Sequence, residues 1–293
     1  MIIDGKKLTP GYDYIPDPSA PGINGTFALK KVDSVTYADQ DHKLLIRIKK
    51  KLTFSVGNDI DPSTAIDVLA STVDQPLSKI KIQLENKFMP EFKSRNISCL
   101  IPGTMPSDSF LVFTAHYDHL GGIGKTTWFP GANDNASGVS MLLNLLRYYN
   151  ENPPRYTTLF IFFAGEEAGL LGSRYYVQHS PVDLKKIKFL INLDLLGTGD
   201  DGIMVVNGAV YEKEFVRLQS INSEKNLVPA IKKRGKASNS DHYWFTEAGV
   251  PAFFIYTMGG RSAYHDVFDT NAGLPLTDYV DVFRLITLFS AGF

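Results

Sequence analysis

The sequence predicts an α/β fold in which a single mixed, mostly parallel sheet is sandwiched between helices, with a small β-rich N-terminal extension. One observation is the segment Thr157–Phe163, whose unbroken β-branched and aromatic residues indicate a strand buried on both faces. A second is the alternation of strand-like and helical segments from Lys79 onward. A third is the segment GVSMLLNLLRYYN, which predicts an amphipathic helix with Leu142 and Leu143 among the residues of its apolar face.

Composition and charge exclude several classes of function. The 293 residues carry a net charge of −1, so no overall field would attract nucleic acid or an anionic membrane. The longest apolar runs are far shorter than the ~20 residues that a membrane-spanning helix needs. Cys99 is the only cysteine, which excludes a disulfide within the chain and a thiolate metal cluster. We expect Cys99 to be packed in a strand rather than reactive.

Residues 1–78 form the predicted N-terminal arm and β-rich extension. Residues 1–35 are rich in proline, glycine, aspartate and tyrosine without a sustained period, which is typical of an extended arm. Residues 36–78 alternate turns with short strand-like runs at 44–48 and 52–56, and the segment STAIDVLAS indicates a short helix. No catalytic motif occurs in this part of the sequence.

Residues 79–293 form the predicted second domain, in which strands are followed by helices. The predicted strands lie in IKIQLENKF, NISCLIPG, FLVFTA, TTLFIFF, IKFLINL, GIMVVNG and VPAFFIYT. Besides the amphipathic helix, helices are predicted near 171–177, 211–226, 241–248 and 278–289. Such alternation predicts one sheet that is covered by helices on both faces.

Metal-binding side chains follow the predicted strands at five places along the chain. They are His116 in AHYDHLG, Asp134 in PGANDNASG, Glu166 and Glu167 in FAGEEAG, Asp194 in NLDLLG, and His265 in YHDVFDT. Because open α/β sheets carry their chemistry at the carboxyl ends of strands, we expect these side chains to meet at one edge of the sheet. Asp118, two residues after His116, is placed to accept a hydrogen bond from the imidazole ring.

This set of donors suits two metal ions. If Asp134 bridges, each ion has one histidine, one further carboxylate and the shared aspartate, and keeps an open position. Three carboxylates and one hydroxide balance the charge of two divalent ions, as expected for two-metal hydrolysis. Nitrogen and oxygen donors favour Zn²⁺, with Mn²⁺ and Co²⁺ as the alternatives. The remaining glutamate of the pair then stays available to move protons.

Six motifs carry a resemblance to a known family. AHYDHLG, PGANDNASGVSMLL, FAGEEAGLLGS, NLDLLG, SDHYWF and YHDVFDT, in this order, closely resemble the motifs of the co-catalytic zinc aminopeptidases. That family includes bacterial leucyl aminopeptidases, and its relatives include glutamate carboxypeptidase and glutaminyl cyclase. The resemblance covers residues 79–293 and implies the zinc-exopeptidase fold for a zinc peptidase catalytic domain over this range.

The resemblance also implies a role for each matching residue. It places His116 and Asp194 on one zinc ion, Glu167 and His265 on the other, and Asp134 between the two. In the same way it implies that Glu166 is the general base, that Asp118 supports His116, and that Tyr264 helps to hold the oxyanion. A cis peptide bond between Asp134 and Asn135 is a further implication.

Other residues near the motifs are expected to contact substrate or to support the site. Asp241 and His242, in SDHYWF, match a family motif, and either role is open for them. Leu195 and Tyr256, together with Trp244 and Phe245, are candidates for an apolar pocket that holds the first substrate side chain. The histidine at 119 is close to the site but has no assigned partner, and Asp266 and Asp269 are expected to cap the loop that carries His265.

The expected function is that of a zinc-dependent aminopeptidase. Such an exopeptidase hydrolyses N-terminal residues from peptides through a metal-bridging water activated by Glu166. The alternatives are a glutaminyl cyclase, a carboxypeptidase in which Arg261 binds the terminal carboxylate, or a non-catalytic, receptor-like binding module.

Location and the N-terminal segment are predicted from relatives. Related bacterial enzymes are commonly exported, so we expect a periplasmic or secreted protein. The residues after Met1 do not resemble a leader, and a cytoplasmic location is therefore the alternative. Residues 1–78 are a candidate remnant of a protease-associated domain. The sequence makes no prediction of oligomeric state.

Overall fold

A computed structural model describes residues 1–293 and contains eighteen strands. In chain order the first nine are β1 (Ile2–Ile3), β2 (Lys6–Lys7), β3 (Tyr14–Pro16), β4 (Ile23–Ala28), β5 (Lys30–Lys31), β6 (Thr36–Ala38), β7 (Leu44–Lys49), β8 (Thr64–Leu69) and β9 (Lys79–Leu84). The remaining nine are β10 (Ile97–Ile101), β11 (Phe110–His116), β12 (Gly122–Ile123), β13 (Thr127–Trp128), β14 (Thr157–Phe163), β15 (Ile187–Leu193), β16 (Ile203–Val206), β17 (Ile231–Lys233) and β18 (Ala252–Thr257).

Five α-helices lie between and after these strands. They are α1 (Gly138–Glu151), α2 (Leu171–Gln178), α3 (Glu212–Lys225), α4 (His242–Glu247) and α5 (Tyr279–Ser290). Short 3₁₀ turns occur at Ala70–Thr72, Leu184–Lys186 and Asn271–Gly273. An irregular turn at Ala132–Ser137, with non-helical dihedral angles at Asp134 and Asn135, leads into α1. None of the helices combines the length and the hydropathy needed to span a bilayer.

The chain divides into two compact units. The β unit comprises residues 1–93, 120–130 and 263–268. The α/β unit comprises residues 94–119, 131–262 and 269–293.

The α/β unit is built on one seven-stranded sheet with the order β10-β14-β11-β15-β18-β16-β17. Strands β14, β11, β15 and β18 run parallel to their neighbours in this series. The edge strand β10 is antiparallel to β14, and β16 is antiparallel to β18. The sheet is therefore mixed and mostly parallel, which confirms the predicted fold class. The register of the central pair places His116 opposite Phe163, so β11 and β14 end side by side.

Helices cover both faces of this sheet because the central strands are apolar on both sides. On one face, Phe113 and Phe160 join an apolar core with residues of α1, α3 and α5, such as Leu145 and Phe289. On the other face, Phe163 and neighbouring strand residues pack against α2 and α4. Six of the seven residues of β14 are buried, as its composition predicts.

The β unit contains two sheets that share an apolar core. One is four-stranded, with the order β2-β1-β9-β4, and the other is five-stranded, with the order β3-β8-β7-β6-β5. Alternate residues of both sheets, among them Ile46, Ile66 and Ile80, point into this core. Strands β12 and β13 form a separate two-stranded hairpin in the same unit.

The units divide at a different place from the predicted boundary after residue 78. Strand β9, expected to open the second domain, pairs with β1 and β4 instead, and the β unit continues to Lys93. An alternating strand fits any sheet that has one buried face, so its pattern alone does not decide which strands it pairs with. The predicted helix in STAIDVLAS is wrong, because Thr64–Leu69 is the strand β8 and pairs in parallel with β7.

Cys99 lies in a strand, as predicted, but it is exposed rather than packed. Strand β10 is at the edge of the sheet, and its apolar residues are also open, with Ile97 56% exposed. An apolar run predicts burial, whereas a strand at the edge of a sheet has a neighbouring strand on one side only.

Two neighbouring leucines of α1 provide a matched test of this packing. Both were predicted on the apolar face, but Leu142 is fully buried and Leu143 is 53% exposed. We expect Leu142→Ala to lower the free energy of unfolding by about 2–5 kcal/mol, because it leaves a cavity under the sheet. Leu143→Ala should change it by no more than about 0.5 kcal/mol. Urea unfolding followed by circular dichroism measures both, and equal losses would contradict the observed helix orientation.

Candidate metal centre

Three adjacent parallel strands bring four of the predicted site residues to one edge of the α/β sheet. His116 is the last residue of β11, and Asp194 directly follows β15. Glu166 and Glu167 lie in the turn after β14. Because β11 lies between β14 and β15, the ends of all three strands are neighbours. This arrangement is the one that the strand-end argument predicts.

The first donor cluster, called the His116 group, consists of His116, Asp134 and Asp194. All three are buried, and their ligand atoms lie within 4.8 Å of one another. The Nε2 atom of His116 is 3.3 Å from Oδ1 of Asp134 and 3.4 Å from Oδ2 of Asp194. That Nε2 and Oδ1 of Asp194 are buried without a hydrogen-bond partner. Buried polar atoms are normally paired, so a cation that accepts both donors fits this group.

The second donor cluster, called the His119 group, consists of His119, Asp134 and Glu167, again within 4.8 Å of one another. Asp134 belongs to both groups, which is the position that a bridging carboxylate requires. Nδ1 of His119 lies 2.8 Å from Oε1 of Glu167. The sequence analysis assigned no metal-binding role to His119. The available signal for such a role was its position in the segment HYDH, immediately after Asp118.

Asp118 supports the site in a different way from the one expected. Its backbone carbonyl, not its carboxylate, accepts a hydrogen bond from Nδ1 of His116 at 3.1 Å. The carboxylate is 3.8 Å from that nitrogen, which is too long for a hydrogen bond. Instead it accepts from the backbone N–H groups of Glu166 and Glu167, at 3.2 Å each. Asp118 therefore ties the end of β11 to the turn that carries both glutamates.

The turn that carries Asp134 is held by a second carboxylate. Asp269 is buried and accepts hydrogen bonds from the backbone N–H groups of Asn133 and Asp134, at 2.9–3.1 Å. It was expected to cap the His265 loop, a function that Asp266 fulfils by accepting from backbone N–H groups of that loop. The peptide bond between Asp134 and Asn135 is cis, as the resemblance implies.

Polar side chains of the same turn hold the chain on either side of Asp194. Asn135 donates to the carbonyl of Leu193 and accepts from the N–H of Leu195. Ser137 and Asn133 accept from the backbone N–H groups of the next two residues, Leu196 and Gly197. Sequence reasoning missed these roles, although the run of short polar residues in PGANDNASG was a signal.

Asp194 also ends a buried chain of hydrogen bonds that crosses the sheet. Thr114 donates to Oδ1 of Asn192 at 2.6 Å, and Nδ2 of Asn192 donates to Ser240 at 2.8 Å. Ser240 in turn donates to Oδ2 of Asp194 at 3.0 Å. The hydroxyl therefore presents a fixed donor to the carboxylate that the resemblance assigns to a metal ion.

Burial and like charge shift the ionisation of this cluster. Burial raises the pKa of Glu166 well above its ordinary value, and the carboxylates of Asp194, Asp241 and Glu167 add to this shift. Burial also raises the pKa of Asp194. At His116 burial lowers the pKa, but the carboxylates of Asp194 and Asp134 outweigh it and raise the pKa well above its ordinary value. The cluster thus holds protons that divalent cations would displace.

Asp241 and His242, at the start of α4, are both fully buried. Burial raises the pKa of Asp241 to about 7 and lowers that of His242 to about 4. Neither side chain is open to a substrate in this structure. The motif leaves two roles open for these residues, contact with substrate and support of the site. Their burial favours support of the site.

Tyr264 and His265 lie in the β unit, in the segment 263–268. Their rings stack with centroids 4.0 Å apart. Nδ1 of His265 donates to the carbonyl of Phe54 at 3.1 Å, and the N–H of Phe54 donates to the carbonyl of His265 at 2.8 Å. A histidine whose Nδ1–H is held by a carbonyl presents Nε2 for metal binding. The roles of both residues stay predictions.

The expected apolar pocket also stays a prediction. Leu195 and Tyr256 are half-buried, and the hydroxyl of Tyr256 accepts from Arg234 at 3.2 Å. Trp244 is half-buried and lies against the guanidinium of Arg174. Phe245 is fully buried in the core between the sheet and α2, so it packs the fold instead of lining a pocket.

Comparison with known proteins identifies similar sequences. Residues 96–289 match the family described as Peptidase family M28. Aminopeptidase YwaD of Bacillus subtilis is 33% identical over 159 residues, and a probable leucine aminopeptidase of Arthroderma otae is 30% identical over 230 residues. The matches cover 53% and 75% of this chain but 34% and 63% of those relatives. The chain therefore spans less than two thirds of the length of either relative.

Solved structures have the same fold. A zinc aminopeptidase from Bacillus subtilis superimposes with a TM-score of 0.65 at 24% identity, over 85% of this chain and 63% of that one. A glutaminyl cyclase from an Acidobacteriales bacterium has a TM-score of 0.57 at 22% identity, over 73% of each chain. Because proteins with different activities share the fold, the fold alone does not distinguish between those activities.

A structural role for His242 predicts a change in the pH dependence of stability. Because the folded-state pKa is about 4 against an ordinary 6.5, the unfolded chain binds more protons than the folded chain between these values. His242 therefore makes the wild type less stable as pH falls through this window. Relative to wild type, the free energy of unfolding of His242→Leu should rise by about 1.4 kcal/mol for each unit of pH lowered.

Urea unfolding at several pH values measures this difference. His179→Leu is the matched control because His179 is exposed, so it removes an imidazole from the surface and not from the interior. A His242→Leu difference that does not vary with pH would contradict a buried, neutral His242.

Proposed function

The chain belongs to peptidase family M28, and from this premise we propose that it is a two-zinc aminopeptidase that removes N-terminal residues from peptides. The observation that carries the proposal is that ligand atoms of one buried aspartate, Asp134, lie within 4.8 Å of those of His116 and Asp194 in one group and of Glu167 in another. Two ions that share a carboxylate need such an arrangement, whereas a single-metal site does not. The two relatives, an aminopeptidase and a probable leucine aminopeptidase, support the choice of reaction.

The residues proposed to hold the ions are those that the resemblance implies. His116 and Asp194 would bind one ion, Glu167 and His265 the other, and Asp134 both. The unpartnered atoms of the His116 group support the first assignment. The hydrogen bond from Nδ1 of His265 to Phe54 supports the second, because it leaves the proton on the nitrogen away from a metal.

When bound, two zinc ions would polarise the scissile carbonyl and lower the pKa of the attacking water. Glu166 would take a proton from that water and return it to the leaving amine. Its raised pKa supports this role, because a carboxylate that holds a proton readily can act first as base and then as acid. Tyr264, which is exposed beside His265, would donate a hydrogen bond to the oxyanion.

The alternatives have less support from the structure. A glutaminyl cyclase shares the fold, but its single zinc would leave one of the two groups unused. A carboxypeptidase needs a cation for the terminal carboxylate, and Arg261 already donates to the carbonyl of Thr270. A receptor-like binding module would not need the complete set of donors. Export from the cytoplasm and descent of residues 1–78 from a protease-associated domain stay predictions.

Metal content tests the proposal directly. We expect two zinc ions per chain by elemental analysis, because the donors form two groups. Chelation should abolish hydrolysis of aminoacyl chromogenic substrates, and added zinc should restore it. One ion per chain would favour the cyclase, and none would favour the binding module.

The role of Glu166 is tested by Glu166→Gln. This variant keeps the shape but cannot accept the proton, so we expect both metal ions to remain and kcat to fall by about 10²–10⁴-fold. Glu151→Gln is the matched control, because Glu151 lies exposed at the end of α1 and should keep wild-type turnover. Wild-type turnover in Glu166→Gln would end the assignment.

A further inference from the structure

Arg234, directly after β17, is a cation without a carboxylate partner. Its neighbours Lys233 and Lys236 each form an ion pair with a glutamate, at 2.6 and 3.8 Å. Arg234 is exposed, and its Nη1 atom donates instead to the neutral hydroxyl of Tyr256 at 3.2 Å. A guanidinium has five N–H donors in a fixed fork, so Arg234 keeps donors for a carboxylate from outside the chain.

The strand register places Tyr256 beside the His116 group. Strands β15 and β18 run parallel, with Leu193 opposite Ile255. The N–H of Asp194 donates to the carbonyl of Ile255, so the pairing continues to the next residues, Asp194 and Tyr256. Leu193 and Ile255 point into the core that contains α1, and successive residues of a strand alternate between its faces. Asp194 and Tyr256 are therefore neighbours on the opposite face of the sheet.

Arg234 reaches Tyr256 along this same face. Strand β16 lies between β18 and β17, and its Met204 is opposite both Tyr256 and Lys232. Arg234, two residues after Lys232, points to the same face, and its hydrogen bond to Tyr256 spans β16. Lys233 points to the other face, where its ion-pair partner belongs to α3. A row of side chains thus runs from Asp194, a proposed metal ligand, to the guanidinium.

This row is suited to a substrate whose first side chain is acidic. The inference rests on the proposed aminopeptidase function, in which the scissile bond lies at the metal ions. Leu195 and Tyr256 are the predicted contacts of the first substrate side chain, and the hydroxyl of Tyr256 holds Arg234. We infer that Arg234 is a specificity residue, which binds the side-chain carboxylate of an N-terminal glutamate. Glutamate fits better than aspartate, because β17 is three strands from β15 and neighbouring strands lie about 4.8 Å apart.

Two substrates of nearly equal shape and different charge test the inference. Glutamyl and glutaminyl p-nitroanilides, both linked through the α-carboxyl group, differ in the charge of the side chain at neutral pH. We expect the kcat/KM of the zinc-loaded enzyme to be about 10-fold higher for the glutamyl substrate, because a charge-assisted hydrogen bond is stronger than a neutral one. The glutamyl value should also exceed that of the leucyl p-nitroanilide, which an apolar pocket would favour.

Two adjacent substitutions form a matched pair. Arg234→Met keeps an unbranched side chain without the charge, so the ratio of glutamyl to glutaminyl kcat/KM should fall to about 1. Lys233→Met also removes one positive charge, but on the other face of the sheet, and should keep the wild-type ratio. Because each ratio compares two substrates on one protein, a loss of active protein cancels from it.

Two further variants separate charge from geometry. Arg234→Lys keeps the charge without the fork of donors, so it should retain part of the glutamyl preference. Arg234→Glu reverses the charge, and it should hydrolyse the lysyl p-nitroanilide several-fold faster than the uncharged norleucyl one.

Each contrary result has a distinct meaning. If the wild type does not prefer the glutamyl to the glutaminyl substrate, or prefers the leucyl one, the inference is wrong and the aminopeptidase assignment stands. If Arg234→Met and Lys233→Met lower the ratio equally, the preference comes from the general field of the basic segment, and the contact with Arg234 is refuted. If the zinc-loaded protein hydrolyses none of these substrates, the proposed function fails, and the inference fails with it.

Discussion

The concentration of negative charge at the end of the central strands is the constraint on which the rest of the structure depends. Asp134, Asp194, Glu166 and Glu167 converge in a region where burial already raises the pKa of Glu166 and Asp194. Carboxylates so placed cannot all ionise together unless positive charge joins them. Buried His116, whose pKa these carboxylates raise, supplies only part of that charge. The cations proposed above would supply the remaining charge, and the carboxylates must be held against mutual repulsion before such cations bind.

An outer layer of hydrogen bonds holds these donors. Asp269 fixes the backbone of Asp134, and Asp118 fixes the backbone of the paired glutamates. These outer carboxylates accept from backbone N–H groups, which carry no net charge, so the donors are positioned without adding another full positive charge. His116, Asp194 and the paired glutamates lie at the ends of strands that are paired on both sides, and Asp134 lies in a turn that Asp269 holds. Rigid strands and neutral donors together make a preorganised site.

The sequence predicted the parts of this arrangement that follow from hydrophobic periodicity and from the order of the motifs along the chain. The apolar runs located the sheet, and the polar residues that follow them located His116, Glu166, Glu167 and Asp194 at its edge. The contact of His119 with Glu167 was not predictable, because it depends on how the chain turns after β11 leaves the sheet. For the same reason the predicted hydrogen bond between His116 and the Asp118 carboxylate was wrong, because the ring donates to the backbone carbonyl of Asp118 instead. The partner of β9 was missed because an alternating pattern does not specify which sheet receives the strand.

The chain of hydrogen bonds behind Asp194 fixes the direction of the bond that this carboxylate receives. The amide of Asn192 has one accepting end, bound by Thr114, and one donating end, bound to Ser240. Ser240 therefore gives its own proton to Asp194, and this hydrogen bond opposes the effect of burial, which raises the pKa of Asp194. At Glu166 burial and the neighbouring carboxylates also raise the pKa, and the charge of His116 opposes them. The ends of β14 and β15, on either side of β11, thus carry two carboxylates with raised pKa values, and Asp194 is oriented by a hydroxyl that is itself buried and hydrogen-bonded to the sheet.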